Sequence, residues 1–502
     1  MARIRKDVWN LTRDEGDWPK DLVAYERAVG LMRAADPPTG RPTNPLGWAY
    51  LAAIHGRAGV GGAADTSDPL WCTCQHGSWY FLPWHRMYLM AFELAVQDVL
   101  ADPDWSLPYW YAVNPDDASM AVLPPAFRDR TVGNDLFTMR RSRRMNAGAA
   151  LPDLGASLLD ALVAPQYSTP LGTSTFGGGE RATPSFSGDE TGLLEDTPHG
   201  AVHVLVGNDF DAAGNPVRFG WMGSFFTAAL DPIFWLHHAN LDRLWQAWLD
   251  ADPAHTQPNG DDAWAATRWS FPKVGGGTVS WRVDEVLDLT ALGYAYESTA
   301  LPSALAAALG PGPVPGPVVI GGGGGQAEGS LEESMPEPLP PQTLGATVDV
   351  AISAPEPVEV ELEGLRAPDS ADADADDTGP GQIFLRIEGI TGTAAAPAYH
   401  VYVGVPPGDA PDDHPELRAG TFATFGVVEA SRRSALHDGT GLTKVFDITK
   451  VRDALTEQGR WDPARLTVAF RPVVPEPAAG EPEPDAGRPA DLRAGQVTVL
   501  AT

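Results

Sequence analysis

The sequence predicts a mainly α domain over residues 1–302, a Gly/Pro-rich linker over 303–345 and an antiparallel β-sandwich over 346–502. Three observations carry that reading. Apolar residues in the first part recur at helical spacing, most plainly Ile233, Phe234, Leu241, Leu244 and Trp248 between Asp231 and Leu249. The stretch 303–345 holds Gly-Pro-Gly-Pro-Val-Pro-Gly-Pro, Gly321–Gly325 and Pro-Leu-Pro-Pro-Gln, which cannot bury a core and should be extended or mobile. Beyond it the apolar period changes from helical to two. A chain of 502 residues is too long for one ordinary core, so two domains are expected.

Taken in order, Leu22–Ala34 reads as an amphipathic helix ended by Pro37-Pro38. Gly47–His55 ends a second helix, broken by Gly56 and the Gly59, Gly61, Gly62 loop. His85 opens a third, Arg86–Leu100, with Met87, Met90, Phe92, Leu94 and Val99 as core residues. Residues 115–195 are rich in Pro, Gly, Ser and Thr and read as long surface loops of the kind that line sites. Inside them Arg140–Arg144 is a basic run, expected to be a solvated face paired with nearby acids. Asp231 caps and Pro232 starts the helix that runs to about Leu249. In the last part Ala346–Ile352, Val358–Leu362, Ile383–Ile387, Tyr399–Val403, Phe422–Val428, Val445–Ile448, Leu466–Phe470 and Val497–Leu500 alternate as half-buried strands. The Asp-rich stretch 368–377 reads as a mobile loop among them.

The chemistry lies in the histidines. His199 and His203 are four apart, so on a helix their rings reach one ion together. His237 and His238 sit in the apolar stripe of the Asp231 helix, and His55, His76 and His85 lie in apolar surroundings upstream. With one of the adjacent pair His237 and His238, these form two groups of three imidazoles with few carboxylates nearby. Imidazole suits zinc, copper, iron or nickel, so ligand type alone does not choose the metal. A four-helix bundle is expected to hold the pair of sites, with His76 on a loop. His255, His400, His414 and His437 have no partner at metal spacing.

Asp231-Pro-x-Phe-Trp-x-x-His238-x-x-x-Asp242 resembles the second copper-site signature of the tyrosinase and polyphenol oxidase family. His76-Gly-Ser-Trp-Tyr-Phe-Leu-Pro-Trp-His85-Arg-Met-Tyr is similar to its first-site signature, and His199-Gly-Ala-Val-His203 matches its remaining second-site segment. The resemblance covers roughly residues 1–300. Glu195-Asp-Thr-Pro-His199 and Met222-Gly-Ser-Phe225 look like the plant-type branch, the catechol oxidases.

The resemblance implies a type 3 dicopper centre. His55, His76 and His85 would hold the first copper and His199, His203 and His238 the second, with His55 placed by order and distance alone. It implies a thioether between Cys74 and the ring of His76, the alternative being a free thiol, and gives Cys72 no role. It places His237 at the substrate entrance and Phe225 as a gate over the first copper, the alternative being a core aromatic. The family's monophenol-activating asparagine is replaced by Gly200, while Glu195 is positioned to hold a water. Asp242 is a candidate support for a ligand ring or a salt-bridge partner of Arg86 or Arg243. Leu292-Gly-Tyr294-Ala-Tyr296 resembles a tyrosine motif stacked by an N-terminal arginine, here Arg3 or Arg5, the alternative being plain β-strand packing of the tyrosines. Lys444-Val-Phe-Asp-Ile is similar to a motif of the family's C-terminal domain.

The expected activity is oxidation of o-diphenols to o-quinones with reduction of dioxygen to water. The β domain is expected to keep the enzyme latent until a protease cuts the linker or the domain is displaced, the alternative being a stability or oligomerisation module. The alternatives are a tyrosinase with monophenol hydroxylase activity, a hemocyanin-like oxygen carrier and, least favoured, a two-zinc hydrolase. Phenols and dioxygen are the expected partners. A net charge of −31, with five lysines in all, disfavours nucleic acid and anionic membranes. Cys72 and Cys74 cannot build a disulfide framework, and the start lacks an apolar signal core. Cytoplasmic synthesis is the expectation, with export by a partner left open.

Overall fold

The computed structural model describes residues 2–11, 18–37, 40–169, 174–186, 188, 190–258, 261–309, 342–352, 381–434, 437–462, 466–475 and 487–501. Helices α1 (Lys20–Ala34), α2 (Trp48–His55), α3 (Phe81–Leu100), α4 (Ala201–Gly207) and α5 (Ile233–Ala251) share one apolar core. The two longest, α3 and α5, pack on each other, with Phe92 stacked on Trp235 at 3.6 Å between ring centroids. Helix α3 begins at Phe81, a turn earlier than the sequence suggests, because Pro83 falls in the first turn, where no N–H is needed. Among the described residues no helix is long and apolar enough to cross a membrane.

Helix α5 starts at Ile233, one residue later than expected, with Pro232 flanking it, and Asp231 Oδ1 accepts from the Ile233 N–H at 3.1 Å. The Asp231 carboxylate is also gripped by Arg141, with Nε 2.7 Å from Oδ2 and Nη2 2.5 Å from Oδ1. The basic run is therefore only partly a solvated face. Arg141 and Arg144 are buried, because a carboxylate sealed at a helix start needs a fixed cation, and Arg144 donates to the Pro475 carbonyl at 2.7 Å. Arg143 remains exposed and pairs with Asp209 at 3.3 Å.

The chain's start is tied to the end of the helical part. Arg3–Arg5 pairs in parallel with Tyr294–Tyr296, and the Arg5 guanidinium lies 3.9 Å from the Tyr294 ring centre. Both tyrosine hydroxyls donate to Asp242, which also takes Arg86 at 2.5 Å and Arg5 at 3.4 Å. Asp242 thus joins α3, α5 and the N-terminal strand in one buried network. Arg243 instead bonds Asn240 and the Ser298 carbonyl.

The last part holds β1 (Gln342–Ala351), β2 (Ile383–Ile390), β3 (Ala398–Val403), β4 (Arg418–Phe422), α6 (Val427–Ala430), β5 (Leu442–Asp447), α7 (Thr449–Glu457), β6 (Val468–Val473) and β7 (Arg493–Ala501). One sheet has the order β5-β2-β7-β1 and the other β4-β3-β6, every pairing antiparallel. Inward residues such as Ile387, Val401, Phe422 and Val497 form a separate apolar core. The expected strand Phe422–Val428 stops at Phe422. Gly426, at φ 81°, turns the chain, and the next residues coil into α6. Ser303–Leu309 is helical. The expected strand Val358–Leu362, the Asp-rich stretch and residues 310–341 of the linker lie outside the described residues. The two parts touch: Ala398, Ala423, Phe425 and Val473 pack into the core of the helical part.

Candidate metal centre

Helix α2 ends on His55 and α3 carries His85 in its second turn, while His76 lies on the loop between them. The ligating nitrogens of these three rings lie within 4.8 Å of one another. His199 sits in the irregular turn Glu195–Gly200 that feeds α4, and His203 lies within α4, with ring centroids 4.6 Å apart. A second group within the same 4.8 Å limit comprises His199, His203 and His237. His238 is packed between the two groups. Its Nε2 stands 3.2 Å from Nε2 of His203, and its ring stacks on His85 at 4.5 Å.

Hydrogen bonding presents these rings to an ion. Nδ1 of His55 is 3.0 Å from the Phe225 carbonyl, Nδ1 of His85 is 2.8 Å from that of Phe81, and Nδ1 of His199 is 2.8 Å from that of Glu195. Nδ1 of His203 faces the Met222 carbonyl at 2.9 Å, and Nδ1 of His76 the Phe186 carbonyl at 3.3 Å. A carbonyl only accepts, so the proton sits on Nδ1 and the Nε2 lone pair points inward. Nε2 of His55, His76, His85, His199 and His237 is buried without a partner among the described residues. Burial, and then repulsion between neighbouring imidazoliums, lowers the pKa of His76, His85, His199 and His238 well below the ordinary value. Burial pushes His55 down to about 4 and His237 to about 3. Neutral imidazoles with orphaned lone pairs are what metal binding requires, so the residues fit a pair of copper ions.

The other predicted residues surround this centre. Cys74 is buried, its Sγ 3.4 Å from Nδ1 of His76. Phe225 stacks face to face on His76, 4.2 Å between centroids. Glu195 takes the Gly77 N–H on Oε1 at 2.7 Å, while Oε2 has no partner among the described residues. Burial raises its pKa to about 8. Gly200 lies against the β part, where a Cβ would stand 2.8 Å from Cβ of Ala423. His255, His400, His414 and His437 join neither histidine group.

Sequence reasoning missed what the β part brings. Phe425 stacks on His203 at 4.1 Å and stands 5.6 Å from His199 and 4.5 Å from Phe225. The available signal was Gly426, which breaks the supposed strand directly after it. Lys444 is buried, its Nζ 2.7 Å from Oδ1 of Asp196. A lysine inside an apolar strand of a lysine-poor chain was the clue there.

A family model described as the common central domain of tyrosinase matches residues 45–147 and 141–251. One described as a domain of unknown function, DUF7868, matches 343–483. The chain is 30% identical to Tyrosinase HcTyr1 of Hahella sp. (strain CCB-MM4) over 502 aligned residues, 94% of this chain and 95% of that protein. It is 29% identical to the chloroplastic polyphenol oxidase A of Solanum lycopersicum over 301 residues, 56% of this chain but 45% of that protein, so it spans about half the length of that plant relative. Two solved structures share the fold across the whole chain. Latent aurone synthase (polyphenol oxidase) from its natural source aligns with a TM-score of 0.61 at 20% identity, covering 89% of that chain. Latent apple tyrosinase aligns with 0.58 at 21% identity, covering 97%. With a near full-length tyrosinase relative and two buried histidine groups fit for a dicopper site, the chain belongs to the tyrosinase family and is a copper-dependent, tyrosinase-like oxidoreductase.

Proposed function

We propose that the protein is a latent polyphenol oxidase that converts two o-diphenols to o-quinones for each dioxygen reduced to two waters. In this reading the helical part is a four-helix bundle around the coppers and residues 346–502 are a β-sandwich shield. The observation that carries it is Phe425. Its ring occupies the space over His203, and the cavity left between Phe425, Phe225, His76, His199 and Glu195 is about 20 Å³. That holds about one water and no catechol.

His55, His76 and His85 would hold one copper and His199, His203 and His238 the other. Nε2 of His238 stands 3.2 Å from Nε2 of His203, close enough for both rings to reach one ion, which supports His238 as partner of His203. His237 then faces the entrance, close enough to the second site that copper content must decide between the pair. The bound coppers supply electron transfer between catechol and dioxygen. The chain's own groups orient the substrate: Phe225 covers His76 as the gate, and the free Oε2 of Glu195 is placed to hold a water. Gly200 offers no amide to complete a monophenol-activating pair, which favours diphenol over monophenol oxidation. The test is oxygen uptake by the full chain and by Phe425→Gly over catechols and matching monophenols. Uptake with catechols, raised several-fold by the substitution, is expected. Equal rates would remove the shield, and monophenol rates matching catechol rates would make it a full tyrosinase.

A further inference from the structure

We propose that Asp196 makes the uncovered pocket selective for phenols bearing a primary ammonium group, the arylalkylamine class. This rests on the shielding reading above and adds the substrate class to it. In the covered enzyme Asp196 Oδ1 takes the Lys444 ammonium at 2.7 Å and the Ala423 N–H at 2.9 Å. Lys444 Nζ donates as well to Thr191 Oγ1 at 2.8 Å. Both of these donors to Asp196 belong to the β part. Lys444 and Phe425 line one cavity together with Thr191, Glu195, Asp196 and His199.

The β part thus inserts two things into the pocket: an aromatic ring, stacked on His203, and a primary ammonium, seated on a carboxylate. Those are the two recognition groups of an arylalkylammonium ion. When the β part withdraws, Asp196 loses both donors at once. A carboxylate in a pocket wall then takes the nearest cation, and a substrate ammonium fits where the Lys444 ammonium had been while the phenol ring points to His203. Lys444 is therefore a positioning residue that imitates the substrate side chain, as Phe425 imitates its ring.

The test uses full-length, copper-loaded chains and three catechols: dopamine, 3-(3,4-dihydroxyphenyl)propanoate and neutral 4-methylcatechol. Phe425→Gly should oxidise 4-methylcatechol faster than the parent. The double variant Phe425→Gly, Lys444→Met should prefer dopamine over the propanoate in kcat/KM by about ten-fold or more, the scale of one charge-assisted hydrogen bond. Adding Asp196→Asn should bring the two within about two-fold of each other while 4-methylcatechol keeps reporting the copper site. Should the lysine variant lose copper, detergent-opened parent and Asp196→Asn chains give the same readout. A gain on 4-methylcatechol without amine preference, or a preference that survives Asp196→Asn, overturns the amine proposal alone. No gain on 4-methylcatechol overturns the shield and this proposal with it.

Discussion

Gly426 backs onto Phe225 so closely that a Cβ there would stand 2.3 Å from the ring's Cζ. Gly426 also sits at φ 81°, where an L side chain is strained by roughly 1–2 kcal/mol. Gly426 therefore fits only against Phe225 in its present place, and Glu429, three residues on, bonds Ser224 at 3.1 Å. Gly426→Ala should unseat Phe425 and raise catechol oxidation by the full-length chain about 5- to 30-fold, the population change that such a strain produces. Oxygen uptake at constant copper content checks it; an unchanged rate would mean that the plug does not govern access.

Copper analysis of single histidine variants tests the ligand sets. His85→Ala and His238→Ala should each retain about one copper per chain, while His237→Ala retains two. Two coppers in both His85→Ala and His238→Ala would refute the assignment. One copper in His237→Ala and two in His238→Ala would exchange the neighbours.

The 3.4 Å approach of Cys74 Sγ to the His76 ring makes a thioether testable. After copper loading in air, peptides spanning residues 72–79 should be lighter by two hydrogens and resist reductant. Full alkylation of Cys74 in active protein would rule the link out. Cys72, whose Sγ lies 3.3 Å from the Arg57 N–H, should remain a thiol.

Limited proteolysis within 310–341 should raise catechol oxidation several-fold, because that Gly/Pro-rich composition lacks packing residues. Mild detergent should act in the same direction. A cleaved, copper-loaded protein no more active than the intact chain would assign the β part to stability instead.

Much of the helical part was legible because its signals are local. The Asp231–Leu249 stripe, the His199/His203 spacing and the Pro after Asp231 each fix structure within a turn or two. The candidate centre was legible because imidazoles in apolar surroundings are costly to bury unless their lone pairs find a partner. What the sequence hid depends on distant pairing. Nothing near Arg141 announces that it seals Asp231, and nothing near Asp242 shows that two tyrosines and Arg5 converge on it. Phe425 reads as a strand residue because alternation says which face is apolar but not whether a turn delivers it to another core. His237 and His238 are separated by one peptide, so spacing cannot rank them, and the structure brings both to the second group.

The Arg144–Pro475, Ser224–Glu429 and Lys444–Asp196 contacts join residues 331, 205 and 248 positions apart in one chain. On the shielding proposal the cover is an intramolecular ligand, and its covalent tether sets an effective concentration on the order of millimolar. Dilution cannot lift it while the tether is whole. Once the tether is cut, the same contacts become an ordinary bimolecular equilibrium. A nicked enzyme would then stay quiet in a concentrated stock and awaken on dilution, so the moment of cleavage and the moment of activity need not coincide.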